Sequence, residues 1–567
     1  MLAFSRTIVL GGFFTLFLWL PLKAQEVSIP DSIFRAYLLN NPLINQDTDD
    51  KITVAEAASA TQLIIFDSFG KLIQDMTGLE AFVNLESIFF YELGTDSLPL
   101  SNLSKLKVLR VHRTFLKSLN LAGNPALENL ECWECELEEI DLSQQSQLKR
   151  LFLEDSRLDT LELVHQSQLE SISVRENFLT GLDLSGASNL KELIVNQNRM
   201  QWLIPPVNNN IEDYAASYND WGSMDLRGWD MLSDFRCIEC GLDSIILPQS
   251  PRLRLLTLNR NRLKNLDLQG TPAIMTLSLD DNLFTSFDLE GGLNSLQTLR
   301  FARNQLQRLN TRGAAFLSFL DCSGNQLSSL DLQVSPGLEF LRANQNPLES
   351  LELAQSGELR DLFVREARLE SLDLSAQTGL LAIDLTRNAL TSLVLPDTGL
   401  LGRLIVDDNP ELPHLDISKQ VNLNLFSVSR CSGLEYVCVW ELPFNTSLLQ
   451  LVLDGTNFPF VLCAGDFPIG FPKSFEDVSL QPNPATEKVS LVYDRVFFSE
   501  GAPNIWLYDQ QGRLHRSWKG GTVWPTPYVV LDLSGLLPGV YMVRCDGELP
   551  GSDGPISRTV YKKLMVQ

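Results

Sequence analysis

The chain has 567 residues, with 45 Lys+Arg against 70 Asp+Glu and a net charge of −25 at pH 7. Phosphate backbones need a basic footprint, so this balance excludes a nucleic-acid partner. The length exceeds what one hydrophobic core serves, unless the chain repeats a unit that packs only on its neighbours.

At the N-terminus, Arg6 precedes an apolar run from Ile8 to Leu22, followed by Lys23, Ala24 and Gln25. One positive charge, a run of about 15 apolar residues and a small residue read as a cleaved secretory signal over residues 1–25. Pro21 breaks the run, which is short for a bilayer span, and no cysteine follows it to carry a lipid anchor. No later stretch has the length a transmembrane helix requires, so an exported, soluble mature chain without a membrane span is expected.

Residues 26–78 read as a helical N-terminal cap. Ile29–Leu39 opens with proline and an acidic turn, and spaces Ile33, Phe34, Tyr37 and Leu38 as a helix does. The next segment, Asn45-Gln-Asp-Thr-Asp-Asp-Lys-Ile-Thr-Val-Ala-Glu56, resembles an EF-hand loop. That resemblance places Asn45, Asp47, Asp49, Lys51 (through its carbonyl), Thr53 and Glu56 as calcium ligands. Asn45 stands where Asp is usual, and Asp50 where the turn prefers Gly, so a cap whose acids face water is the other reading. Nothing else in the chain calls for a cofactor.

From residue 79 to 436 the sequence is periodic. A unit close to L-x-L-x-x-x-x-x-L-x-x-L-x-L-x-x-N-x-L-x-x starts at Leu98 and recurs to Leu415 in steps of 21, two of them 22. This period with leucines at fixed phases is the mark of a leucine-rich repeat solenoid. Each L-x-x-L-x-L contributes a short strand to a parallel sheet on the concave face, with the L-x-L leucines pointing inward. A unit this short has no room for a helix on the convex side, where extended or 3-10 structure is expected. Leu-Asp-Leu-Ser at Leu182–Ser185 and Leu372–Ser375 resembles the 21-residue class of bacterial leucine-rich repeat proteins.

After each strand the chain turns and buries backbone groups that a sheet cannot satisfy. An asparagine side chain carries both donors and an acceptor for them. The expected ladder is Asn177, Asn198, Asn219, Asn261, Asn282, Asn304, Asn325, Asn346, Asn388 and Asn409. Cys135, Cys240 and Cys431 share that phase, with Thr114, Ser156 and Ala367, and the Ala367 turn is expected to be the weakest. The phase also bears on Cys132-x-x-Cys135 and Cys237-x-x-Cys240, which look like zinc or redox pairs. Cys132, Cys237 and Cys322 fall on the inward site, so these residues read as small buried thiols.

Positions between and after the inward pair face solvent on the concave sheet. They place Trp133 and Phe152 in adjacent repeats, and a cationic set of Arg236, Arg260, Arg300, Arg303 and Arg342 farther along. Aromatics and arginines are the residues that anchor interfaces, and both groups are the candidate ligand-binding surface. The bland alternative is that the arginines offset local acids.

Residues 437–473 read as a C-terminal cap and linker, where Cys438 and Cys463 are placed to close a disulfide. Residues 474–567 switch to alternating strands at Lys488–Tyr493, Asn504–Asp509, Val529–Leu533, Val540–Arg544 and Lys563–Val566, expected as an Ig-like antiparallel β-sandwich. Pro482-Asn-Pro-Ala485, Leu507–Leu514, Leu531–Leu536, Pro538-Gly-Val-Tyr541 and Lys562–Val566 resemble the C-terminal (type A) sorting domain of the type IX secretion system of Bacteroidetes. The resemblance implies passage through the periplasm, recognition by the secretion machinery at the outer membrane, and release or attachment at the surface.

No H-E-x-x-H, Ser-His-Asp set or phosphate-cradling glycine loop occurs, and the four histidines are scattered. The expectation is therefore not an enzyme but an adhesin-like protein that binds a protein or glycan through its concave face. A structural spacer of the envelope is the alternative.

Overall fold

The computed structural model describes residues 25–66 and 72–439 (residue 291 excepted), and beyond them 450–452, 460–464, 467–468, 479–481, 488–492, 504–509, 514–518, 528–537, 539–549 and 556–566. The expected signal at 1–25 lies outside these residues save for Gln25. The chain divides into two compact units, residues 1–208 and 209–567.

The first unit begins with α1 (Ser32–Leu39) and α2 (Val54–Ser59). Asp31 caps α1 by accepting from Ile33 N (2.8 Å) and Phe34 N (3.0 Å), so the helix starts just inside the segment expected from sequence. It buries Phe34 and Leu38. Then follow β1 (Gln62–Phe66), β2 (Ser87–Leu93), β3 (Val108–Thr114), β4 (Asn129–Trp133), β5 (Arg150–Glu154), β6 (Ser171–Ser173), β7 (Gly181–Asp183), β8 (Glu192–Ile194) and β9 (Trp202–Ile204). All of these but β7 and β9 join one parallel sheet, in an unbroken register that aligns Leu63, Ile88, Leu109, Leu130, Leu151, Ile172 and Leu193. Every member of that row is fully buried, and each contributes roughly 2 kcal/mol of burial. β7 and β9 pair on the opposite side.

The second unit has a row of the same kind through Tyr214, Phe235, Leu256, Leu277, Leu299, Leu320, Leu341, Leu362, Ile383, Leu404 and Phe426, each on a parallel strand and each buried. On the other side short strands pair two by two, such as Ser223–Asp225 with Ser244–Ile246 and Ser329–Leu332 with Ser350–Leu353. That side is extended, as the unit length requires. Toward the end, Ser479–Gln481, Lys488–Val492 and Tyr528–Asp532 form one antiparallel sheet, and Asn504–Asp509, Leu514–Trp518, Gly539–Leu549 and Ile556–Val566 another.

The asparagine ladder is built as the pattern predicts. Asn177 Nδ2 donates to Leu153 O (2.7 Å), 24 residues back, and to Val174 O (3.1 Å), while its Oδ1 accepts from Leu158 N (3.1 Å). Asn198, Asn261, Asn282, Asn325, Asn346, Asn388 and Asn409 repeat the first two bonds. Where the phase holds serine, Ser156 Oγ is buried and has no partner.

Two features of the turns were not anticipated. The residue before each ladder position is left-handed, with φ from +48° to +59° between Glu92 and Arg430 except at Gly324 (+67°), and it is charged in most turns rather than glycine. Such a backbone costs about 1 kcal/mol or more per non-glycine residue, which the buried side-chain bonds beside it offset. A second buried polar row closes the other bend. Asn124 Nδ2 donates to Leu100 O (3.0 Å), Gln145 Nε2 to Leu121 O (2.8 Å), Gln166 Nε2 to Leu142 O (2.7 Å), and Gln420 Nε2 to Pro396 O (2.6 Å).

The cysteines call for a correction. Burial is as expected, but Cys132–Cys135 and Cys237–Cys240 are disulfides rather than thiols. The inward strand site and the ladder site three residues on share one side of the turn, with Cα atoms 6.1 and 5.7 Å apart, within bridging range. Cys322 and Cys431 are free and buried. Burial pushes the Cys431 thiol up to about 11, and its Sγ lies 3.3 Å from Val406 O, in the asparagine's role. Cys438 is disulfide-bonded. The side chain of Cys463 lies outside the described residues.

Candidate recognition surface

The strand registers define which side chains share the exposed face of the sheet. In the first unit one column runs Ile64, Phe89, Arg110, Glu131, Phe152, and the next Phe66, Tyr91, His112, Trp133, Glu154. Aromatic rings from successive strands meet across these columns. Phe66 lies 5.1 Å from Phe89, Phe89 5.1 Å from His112, and His112 5.7 Å from Trp133, each pair edge-to-face. Phe66 and Trp133 remain 47% and 39% exposed, as does Ile64 at 44%, so four strands present a continuous aromatic band to solvent.

Trp133 was expected here. Phe152 is half-buried beside Glu131 and Ser173 in the register and takes no part in the ring contacts. Phe89, Tyr91 and Phe66 were missed. One step of 21 back from Arg110 and His112 reaches Phe89 and Tyr91, so the repeat extended backwards finds them. Phe66 is 25 residues before Tyr91 and out of phase.

Ion pairs frame the band. Arg110 Nε meets Glu131 at 2.9 Å, and Arg175 Nε meets Glu154 at 2.7 Å. Arg113 joins Glu92 (3.2 Å), Glu134 (2.8 Å) and the Tyr91 hydroxyl (2.8 Å). His112 is enclosed by Phe89 and Trp133, and burial holds its imidazole below its ordinary value, against the opposing pull of Glu131.

The cationic set of the second unit is on the exposed face, but each arginine answers an acid. Arg236 pairs with Asp213 (3.0 Å), Arg260 with Glu239 (3.4 Å), Arg300 with Asp280 (3.0 Å), Arg303 with Asp281 (2.6 Å) and Arg342 with Asp321 (3.5 Å). Asp280 and Asp321 are nearly buried, so Arg300 and Arg342 neutralise carboxylates that would otherwise be stranded. Arg342 also lies over the rings of Phe340 (5.3 Å) and Phe363 (5.7 Å). The set is a row of compensated pairs rather than a cationic patch.

In the EF-hand-like loop, Asn45 is buried and donates from Nδ2 to Leu39 O (3.0 Å) and Asp49 O (2.9 Å), leaving Oδ1 without a partner. Glu56 spends its carboxylate on Gln46 N (3.0 Å) and on Thr53 N and Oγ1 (both 2.9 Å), a capping box for α2. Asp47 and Asp49 are exposed and each accepts a bond from the backbone two residues on. Lys51 Nζ lies 4.0 Å from Glu26. Among the described residues no three His, Cys, Asp or Glu side chains are grouped to hold a metal.

A cleft of about 590 Å³ on the opposite side of the first unit is lined by Asn120, Asp141, Glu162 and His165 among others. Asn120 and Asp141 hold their own turns, accepting from Ala122 N (3.1 Å) and Ser143 N (2.8 Å). No helix among the described residues is long and apolar enough to cross a membrane.

Neither a protein-family model nor a curated protein sequence matches the chain. Solved structures do. YopM from Yersinia enterocolitica WA-314 matches with TM-score 0.51 and 23% identity over 69% of this chain and 94% of that one. A chain of the Drosophila Toll–Spatzle complex matches with TM-score 0.50 and 17% identity over 68% of this chain and 59% of that one. The fold is a leucine-rich repeat solenoid. The functional domain of InlJ from Listeria monocytogenes, which includes a cysteine ladder, aligns over 96% of this chain and 98% of its own at 17% identity and TM-score 0.35.

Proposed function

We propose that this leucine-rich repeat protein is a secreted or cell-surface recognition protein, adhesin-like, that binds a protein or glycan through the concave face of its sheet. The observation that carries the reading is the aromatic band of Phe66, Phe89, His112 and Trp133, whose rings meet from four successive strands on the exposed face of the sheet. A contiguous run of apolar rings open to water marks a surface that a partner covers. An envelope spacer without a ligand would have no use for such a band.

Export through the type IX secretion system, with delivery to the surface or medium, is part of the same proposal. It rests on the N-terminal signal pattern and on the five ordered motifs between Pro482 and Val566. Calcium in the loop of Asn45, Asp47, Asp49, Lys51, Thr53 and Glu56 is supported by the ligand spacing and by the unpartnered Asn45 Oδ1. Titration calorimetry of the purified protein should give heat at millimolar calcium, and none would reject the site. A bridge from Cys438 to Cys463 is proposed as the lock on the C-terminal cap.

Protein and glycan arrays probed with the mature chain test the main reading, with Trp133→Ala/Phe66→Ala alongside. Specific signals should drop at least tenfold in the double variant. Signals that survive unchanged would place recognition elsewhere, and silence on both arrays would favour the spacer.

A further inference from the structure

We infer that the partner covering the aromatic band is a basic polypeptide segment in which cationic side chains alternate with apolar ones. The inference rests on the sheet face being the recognition surface, and three observations choose the partner.

The first is the arrangement of the rings. Phe66, Phe89, His112 and Trp133 meet at 89°, 73° and 80°, so successive rings stand across one another. A sugar ring needs a flat aromatic face to lie on. Rings turned edge-to-face instead form slots that accept an apolar side chain.

The second is the charge beside them. The left-handed residues near the ends of β2 and β3 and after β4, β5 and β6 form a column along the edge of the band: Glu92, Arg113, Glu134, Asp155 and Glu176, four acids and one base. Arg113 is shared between Glu92 and Glu134. Asp155 and Glu176 have no ion-pair partner among the described residues, unlike the second unit, where Glu239, Asp281, Glu366 and Asp408 of the same column are each met by an arginine. The turn backbone fixes their Cα positions, so both acids stay on this edge of the sheet.

The third is the field behind both. Residues 26–208 carry 27 acidic and 14 basic side chains, which steers a cation toward this unit. The band and the acidic column run side by side across the strands. A segment laid along them can set its apolar side chains into the slots while its Lys or Arg reaches Asp155 and Glu176.

The probes are fluorescein-labelled (Lys-Val)6, its counterpart (Glu-Val)6 and labelled cellohexaose, each titrated into the full mature chain at 0.15 M salt and read by anisotropy. The lysine peptide should bind and the glutamate peptide should not. Affinity should fall at least tenfold in Trp133→Ala, and at least fivefold in Asp155→Asn/Glu176→Gln. In Asp159→Asn, which removes an exposed acid off this face, it should stay within twofold. No lysine-peptide binding, equal binding of the two peptides, indifference to Trp133→Ala, or an equal loss in Asp159→Asn would each overturn the inference. Cellohexaose bound and lost in Trp133→Ala would overturn the basic partner while leaving recognition by this face standing. Unfolding midpoints within 2 °C of the parent would exclude damage to the fold as the cause of any loss.

Discussion

Removing one ladder asparagine tests the central physical claim, that these side chains serve buried backbone groups. Asn282 Nδ2 donates to Leu258 O (2.9 Å), Leu279 O (3.1 Å) and Asp280 O (3.3 Å), and Oδ1 accepts from Leu263 N (3.1 Å). The three carbonyls each keep another donor: Asn261 Nδ2 on Leu258 O, Asn304 Nδ2 on Leu279 O and Arg260 N on Asp280 O. Asn282→Ala therefore strands one group, the buried Leu263 N–H. Two well-formed bonds at about 1 kcal/mol each, plus roughly 1–2 kcal/mol for the stranded donor, predict a loss of about 3–4 kcal/mol. The reverse experiment is already half written in the chain. Ala367 leaves Leu348 N–H, the counterpart of Leu263 N–H, without its side-chain acceptor, so Ala367→Asn should gain about 1 kcal/mol. Repeat arrays need not unfold in one step, so urea midpoints should be read together with hydrogen exchange at the Leu263 and Leu348 amides. A loss under 1 kcal/mol in Asn282→Ala, with Leu348 protection unchanged in Ala367→Asn, would refute the accounting.

Three further outcomes are expected. Arg300→Ala should cost about 2 kcal/mol, because Asp280 is 4% exposed and keeps only Ala302 N (2.7 Å) beside it, whereas Arg260→Ala should stay within about 0.5 kcal/mol because both members of its pair are open to water; urea titration separates the two. Gly123→Ala should destabilise by about 2 kcal/mol or more, since a Cβ there would sit 2.1 Å from the Ser101 carbonyl oxygen, and thermal melting will show it. His112, held below its ordinary 6.5 in the fold, binds the proton less readily there than in the unfolded chain; as pH falls through 6.5 the unfolded chain takes the proton first and stability is lost, so the stability–pH curve should flatten between pH 7 and 5 in His112→Gln.

The ladder, the inward row and the extended outer side were all readable in the chain, because a 21-residue period repeats each side chain into the same environment. What escaped is what the period does not govern. Phe66 lies before the first regular step, so the band's first ring was invisible to phase counting. The second polar row was missed because its position does not hold one residue type: Asn124, Gln145, Gln166 and Gln420 each reach a carbonyl of the preceding turn, while Thr271 bonds Leu268 O in its own turn and Ser335 Oγ is buried without a partner. The arginines were seen but not their partners, which lie a turn earlier and, for Arg236 and Arg300, on another column. The disulfides followed from a distance between two sites, which phase alone does not report.

The left-handed column has a consequence for how such a chain can change length. Strands in a sheet lie about 4.8 Å apart, so each charge in the column reads the one before and after it. In the second unit the order Glu366, Arg387, Asp408, Arg430 alternates in sign, and Arg387 touches both neighbours. Excising one 21-residue turn would leave the core row and the asparagine bonds able to rejoin, yet it would bring like signs face to face, Glu366 against Asp408 if Arg387 were lost. Gene segments that gain or lose turns in pairs would keep the spelling. Along these four turns the core lets turns be counted in ones and the edge counts them in twos, whereas the first unit sets the like charges of Glu134, Asp155 and Glu176 on successive turns.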